Sequence, residues 1–143
     1  MASANIYLTF NGNCEEAFNY YKSVFGGEFA YIGRFKDMPP SEKPMPAEDA
    51  DKLMHVSLPL GGGTVLMGSD TGSEWGAHFK QGNNFSISVN ASSKEEADKL
   101  FNGLAVGGQV TMPLAKTFWS EYFGMLTDKF GINWMVGFDK QEK

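Results

Sequence analysis

The chain has 143 residues, 42% apolar and 14% aromatic, with a net charge of −5 and one cysteine. That length and apolar content suit one compact domain, or two small modules sharing a core, and exclude a disordered chain. The acidic balance argues against nucleic acid or an anionic membrane as partner. One cysteine excludes an intrachain disulfide, and no apolar run nears the roughly 20 residues of a bilayer-spanning helix. No basic segment precedes an apolar run at the N-terminus, so no signal peptide is expected and the chain reads as soluble and cytoplasmic.

Residues 6–10 form a short apolar strand that runs into the turn Asn11-Gly12-Asn13. Asn13 with Glu16 predicts a capped helix start. Ala17, Phe18, Tyr21, Val24 and Phe25 recur at helical spacing, and Gly26-Gly27 ends the helix. A second strand is expected over 29–35. The stretch 36–52, with Pro39, Pro40, Pro44, Pro46 and many charges, reads as a surface excursion long enough to be functional or to contact a second copy. Strands over 54–60 and 64–69 form a hairpin around Gly61-Gly62-Gly63, and Pro59 puts the end of the first at an edge.

A polar, glycine-containing linker then leads into a restart of the pattern. Residues 85–89 alternate with Ser86 and Ser88 as a half-buried strand does, and Ser93 with Glu96 forms a second capping pair. Ala97, Leu100, Phe101 and Leu104 give the helical stripe, and Gly107-Gly108 ends it. An edge strand over 109–114 tolerates Pro113. Strands over 122–127 and 132–138 flank Thr127-Asp128-Lys129-Phe130-Gly131, where Asp can bond to its own backbone and Gly can take a positive φ.

The two halves match by offset. Glu15-Glu16-Ala17 returns as Glu95-Glu96-Ala97, 80 residues on, and Gly26-Gly27 returns as Gly107-Gly108, 81 on. The run from Gly61 to Gly68 falls against Phe130 to Gly137, 69 on, as expected if most of the excursion is missing from the second copy. The expectation is an α+β fold of two tandem β-α-β-β-β modules. The first spans 1–70 with its excursion at 36–52, a linker spans 71–83, the second module spans 84–138, and 139–143 is a polar tail. Each sheet would have one face under its helix and one bare, and two bare faces could surround a shared cavity. A dimeric ferredoxin-like barrel is the fold alternative, but it does not explain the paired hairpins.

Specific residues add a family. They are Leu8-Thr9-Phe10-Asn11-Gly12-Asn13-Cys14-Glu15-Glu16-Ala17, Tyr20-Tyr21-Lys22, Val24-Phe25-Gly26-Gly27-Glu28, Met54-His55-Val56, Leu66-Met67-Gly68-Ser69-Asp70 and Asp128-Lys129-Phe130-Gly131-Ile132-Asn133-Trp134. Over nearly the whole chain they resemble the PhnB-like branch of the vicinal oxygen chelate superfamily, which includes glyoxalase I, extradiol dioxygenases, and the bleomycin and fosfomycin resistance proteins. The resemblance implies a glyoxalase/bleomycin-resistance-like fold with a concave cavity. Metal enzymes of the superfamily use His and Glu from four strand positions. Carried over, these are Ile6, Met67, Asn84 (or its neighbour Phe85) and Met135, none a good ligand for Zn, Ni or Fe, so no metal and no cofactor is expected. Members of the branch often carry the label 3-demethylubiquinone methyltransferase. No glycine-rich strand-to-helix turn for S-adenosylmethionine is present, so that label is set aside.

Strand parity supplies the site candidates. His55 and Ser57 alternate against Met54, Val56, Leu58 and Leu60, and if the apolar set packs on the helix the polar pair faces the cavity. The same parity turns Asn84, Ser86 and Ser88 inward, with Met67 and Met135. Trp119, Tyr122, Phe123 and Trp134 are candidates to line a pocket for a flat molecule, against the plainer reading of aromatic core. The expected ligand-binding set is His55, Ser57, Met67, Asn84, Ser86, Trp119, Tyr122 and Met135, with a structural role as the alternative for His55. His78 reads as a surface residue, Cys14 as inert packing, Arg34 as a solvated cation or anion contact, and Glu15, Glu16, Glu95 and Glu96 as helix-start charges. The function expected is metal-free binding of a small organic molecule by a homodimer. A lyase, isomerase or dioxygenase with a metal relocated to His55 competes with it, as does an interaction protein that uses 36–52.

Overall fold

Apolar residues at every second position make strands that bury one face, and both halves of the chain follow that rule around one helix each. The computed structural model describes residues 2, 4–37, 47–72 and 79–139. The prolines at 39, 40, 44 and 46, His78 and the tail 140–143 lie outside the described residues. The chain divides into two units, Met1–Lys80 and Gln81–Lys143.

In the first unit, β1 (Ile6–Phe10), α1 (Cys14–Phe25), β2 (Tyr31–Arg34), β3 (Leu53–Gly61) and β4 (Thr64–Asp70) form one helix on a four-stranded sheet. The strand order is β1-β4-β3-β2, with β1 parallel to β4 and the other pairs antiparallel. Leu8, Phe10, Val56, Leu58 and Leu66 are buried with Phe18 and Tyr21 of α1. Phe18 packs on Gly68, where a Cβ would stand 2.6 Å from its ring. The predicted second strand is trimmed to four residues, and its pairing with β3 bulges between Gly33 and Arg34. Two 3-10 turns, Phe35–Asp37 at the start of the excursion and Ala47–Asp49 within it, belong to its described part. The hairpin turns at Gly62-Gly63, both at positive φ, a backbone hand that matches the strand twist and favours glycine.

The predicted cap of α1 is corrected. Asn13 makes no side-chain capping bond. Parallel pairing sets Phe10 opposite Asp70, which brings the end of β4 to the start of the helix. Asp70 Oδ1 there accepts hydrogen bonds from the amides of Gly12 (3.0 Å) and Cys14 (2.9 Å), and Oδ2 accepts one from Leu53 (3.0 Å). A buried carboxylate with three amide donors is well satisfied.

In the second unit, β5 (Ile87–Asn90), α2 (Lys94–Ala105), β6 (Gln109–Ala115), β7 (Tyr122–Thr127) and β8 (Asn133–Phe138) repeat the topology in the order β5-β8-β7-β6. β6, which carries Pro113, is an edge strand. Here the local cap is present: the Glu96 amide donates to Ser93 Oγ at 3.0 Å, and the Ser92 amide donates to Glu96 Oε1 at 2.9 Å. Asp128 closes the β7–β8 hairpin, accepting from the amides of Phe130 (2.8 Å) and Ile132 (3.0 Å) and from Trp134 Nε1 (2.8 Å). β5 begins two residues later than expected. Asn133 Nδ2 donates to the carbonyls of Asn83 and Phe85, so a side chain holds that approach instead of a strand ladder. Among the described residues, two mixed sheets and two α-helices make an α+β fold, and neither sheet closes into a barrel.

The 69-residue offset does not survive as a structural equivalence. Its glycines, Gly68 and Gly137, lack side chains on opposite faces: a Cβ at Gly68 would meet Phe18 of the helix, and one at Gly137 would meet Phe123 on the bare face. The loops differ by three residues, Gly61 pairing with Thr64 but Thr127 with Asn133, and an odd slip inverts every side chain.

Candidate functional site

The bare face of the second sheet is built by register. Ser88 pairs with Met135, Met135 with Met125, and Met125 with Met112, so one row crosses four strands. The neighbouring row runs Asn90, Gly137, Phe123 and Ala115. Directly opposed residues share a face, so the three thioethers lie side by side. Gly137 leaves a gap in the second row. The residues of opposite parity, Ile87, Leu126, Trp134 and Val136, are buried.

The loop before β7 forms a wall. Ser120 Oγ donates to Asp139 Oδ1 at 2.9 Å, and the Glu121 amide donates to the same oxygen at 2.8 Å. The Ser120 amide donates to Thr117 Oγ1 at 3.0 Å. These bonds tie the loop to the end of β8, and Trp119 on that loop stands edge-on to Phe123, with ring centroids 5.7 Å apart. Phe118 packs edge-on against Trp119 at 4.7 Å. The result is a concavity of about 540 Å³ over the methionine row, within the size range of small-molecule sites. Its apolar lining is thioether, indole and phenyl, and its polar groups are Ser88, Asn90, Ser120 and Asp139.

Of the expected set, Met135 and Trp119 meet here, joined by Ser88 and Phe123. Asn90, Met112, Met125 and Asp139 were not anticipated. Parity from Phe123 along its strand was the signal available for Met125. Tyr122 is corrected to the helix side: its hydroxyl donates to Asp98 of α2, and the Lys94 ammonium stands 5.8 Å from its ring centroid. The bond to Asp98 raises the phenol above its ordinary range. Asn84 and Ser86 are exposed, precede β5 and do not line the concavity.

His55, Ser57 and Met67 lie on the bare face of the first sheet, in the other unit. Tyr7, Met67, Ser57 and Tyr31 form a row there. His55 has Tyr7 at 5.8 Å and Tyr31 at 5.7 Å between ring centroids. Ile6, carried over as a metal position, shares the parity of Leu8 and Phe10 on the helix side, and Tyr7 and Thr9 take the bare face. Arg34 is held by Glu15 through bonds of 2.9 and 2.5 Å and by the Asp51 carbonyl at 2.8 Å. Cys14 is fully buried, and burial followed by the charges of Asp70 and Glu15 pushes its thiol well above its ordinary value. Among the described residues, no three His, Cys, Asp or Glu side chains group to hold a metal ion, and no helix is long and apolar enough to cross a membrane.

Residues 2–137 match the family model for 3-demethylubiquinone-9 3-methyltransferase. The chain is 33% identical to Protein YjdN of Escherichia coli (strain K12), over 95% of each chain. It is similar to the crystal structure of protein PA1353 from Pseudomonas aeruginosa, with 42% identity and a TM-score of 0.82, covering 99% of this chain and 100% of that one. A putative 3-demethylubiquinone-9 3-methyltransferase, PhnB protein, from Bacillus cereus matches at 29% identity and a TM-score of 0.76, covering 96% and 99%. A glyoxylase/bleomycin resistance protein/dioxygenase domain from Frankia sp. EAN1pec shares the fold at 13% identity and a TM-score of 0.65, covering 98% of each chain. The chain belongs to the 3-demethylubiquinone-9 3-methyltransferase family, a PhnB-like branch of the vicinal oxygen chelate superfamily.

Proposed function

We propose that this protein binds a small organic molecule in the concavity on the bare face of its second sheet. The observation that carries this reading is the methionine row beside Phe123 and Trp119, because thioethers adapt to varied apolar shapes and the indole supplies a flat aromatic surface. Ser88 and Asn90 supply hydrogen-bonding groups that can orient a guest.

The family's methyltransferase name does not direct our reading. A nucleotide-type cofactor seated at a strand-to-helix turn uses a glycine-rich loop with free helix amides. Here the turn before α1 is occupied by Asp70, and the one before α2 by Ser93 and Glu96. The competing metal-enzyme reading asks for imidazole and carboxylate donors around His55, whose ring neighbours are the tyrosines. The homodimer is part of this proposal, and light scattering on the purified chain tests it.

A thermal-shift screen of cationic, neutral and anionic organic fragments tests the binding reading. A compound that raises the Tm of the wild type, but not of Met125→Gln, is the expected result. No stabilising compound, or an equal response from the variant, would overturn it.

A further inference from the structure

The chemistry of the same concavity narrows its guest, on the reading just proposed. We infer that it selects a flat aromatic molecule bearing positive charge and rejects the anionic counterpart. The floor is a row of three polarisable thioethers beside Phe123, and Trp119 stands at the rim. Aromatic guests make favourable contacts with methionine sulfur, and cations are attracted to the faces of indole and phenyl rings. Both preferences favour a planar cation over a chain-like or compact guest.

Charge at the lining points the same way. Among the described residues that line the concavity none is Lys, Arg or His, and the one charged group is Asp139. Its Oδ1 is engaged by Ser120 and Glu121, while Oδ2 accepts no hydrogen bond from the described residues. A cation in the concavity lies beside that carboxylate at the end of β8. An anion would lose water with no counter-charge from the described lining residues and with a carboxylate beside it.

The test uses three rings of one shape, N-methylacridinium, acridine and an acridine carboxylate, titrated calorimetrically into the full chain at neutral pH. The expected result is N-methylacridinium binding about tenfold more tightly than acridine, with no detectable binding of the carboxylate. In Asp139→Asn, which keeps the Oδ1 acceptor for Ser120 and Glu121, the tenfold preference for the cation over acridine should shrink. Added salt should weaken the cation alone. If acridine or the carboxylate binds as well as the cation, the charge inference falls and small-molecule binding stands. If none of the three binds, the inference falls, and the fragment screen decides the broader reading separately.

Discussion

In the first unit the start of α1 is held from far along the chain, by a carboxylate at the end of β4. In the second, α2 is capped by its neighbours Ser93 and Glu96. The hairpins differ in a parallel way: glycines make the turn after β3, whereas Asp128 organises a longer loop after β7 and reaches Trp134. The bare faces differ most. Aromatic rings occupy the first, with Tyr7 and Tyr31 flanking His55, while the second carries methionines around a glycine gap. What the units share is strand order; each also packs a helix ring on a strand glycine, but on strands that are not equivalent, Phe18 on Gly68 of β4 and Phe101 on Gly124 of β7. Fastenings and bare faces diverged, and the proposed site lies on the divergent part.

The largest effects should come from the long-range carboxylates. Asp70→Ala strips an acceptor from three amides, and Asp128→Ala strips one from two amides and the buried Trp134 ring. Each should cost about 3 kcal/mol in urea unfolding. Ser93→Ala removes only a local cap and should cost about 1 kcal/mol. Equal losses at Asp70 and Ser93 would erase the distinction between the caps.

Next are the glycines. Gly68→Ala and Gly124→Ala drive a Cβ to 2.6 and 2.8 Å from phenyl carbons and should each cost about 2 kcal/mol. Gly137→Ala meets Tyr122 O at 3.3 Å and Phe123 at 3.5 Å, so its stability loss should stay under about 1 kcal/mol while it narrows the concavity and weakens ligand binding. Comparable destabilisation at all three would contradict the assignment of faces.

The smallest effect is electrostatic. The hydrogen bond and charge of Arg34 hold the Glu15 carboxyl below its ordinary value of 4.5. A depressed folded value means the contribution is complete above the ordinary value and is lost as pH falls through the lower one. The pair is partly solvent-exposed, so Glu15→Gln should cost no more than about 0.5 kcal/mol at neutral pH. Its unfolding curve should converge on the wild type's in acid.

The pattern of helices, glycine stops and hairpins was legible because it rests on local spacing: the Phe18–Tyr21 and Leu100–Leu104 stripes and the Asp128 turn lie where their residues put them. The cap on α1 was not, because Asp70 reaches Gly12 only once β1 and β4 pair in parallel. Parity in Ile6-Tyr7-Leu8 was hidden by apolar side chains on both faces, and Tyr122 looked like a pocket residue until Asp98 fixed its side. Of the site, Met135 and Trp119 could be read directly. Met112 joins them only through cross-strand register, to which a single strand's sequence is blind.

The most direct measurement is a methyl NMR titration of the protein labelled at its methionines, with N-methylacridinium and with acridine, and signals assigned by single Met→Leu variants. Coincident shifts at Met112, Met125 and Met135 with at least one of the two rings are predicted. Shifts confined to other methionines would contradict a binding site on the second sheet, and no shift at any methionine would contradict a planar aromatic guest.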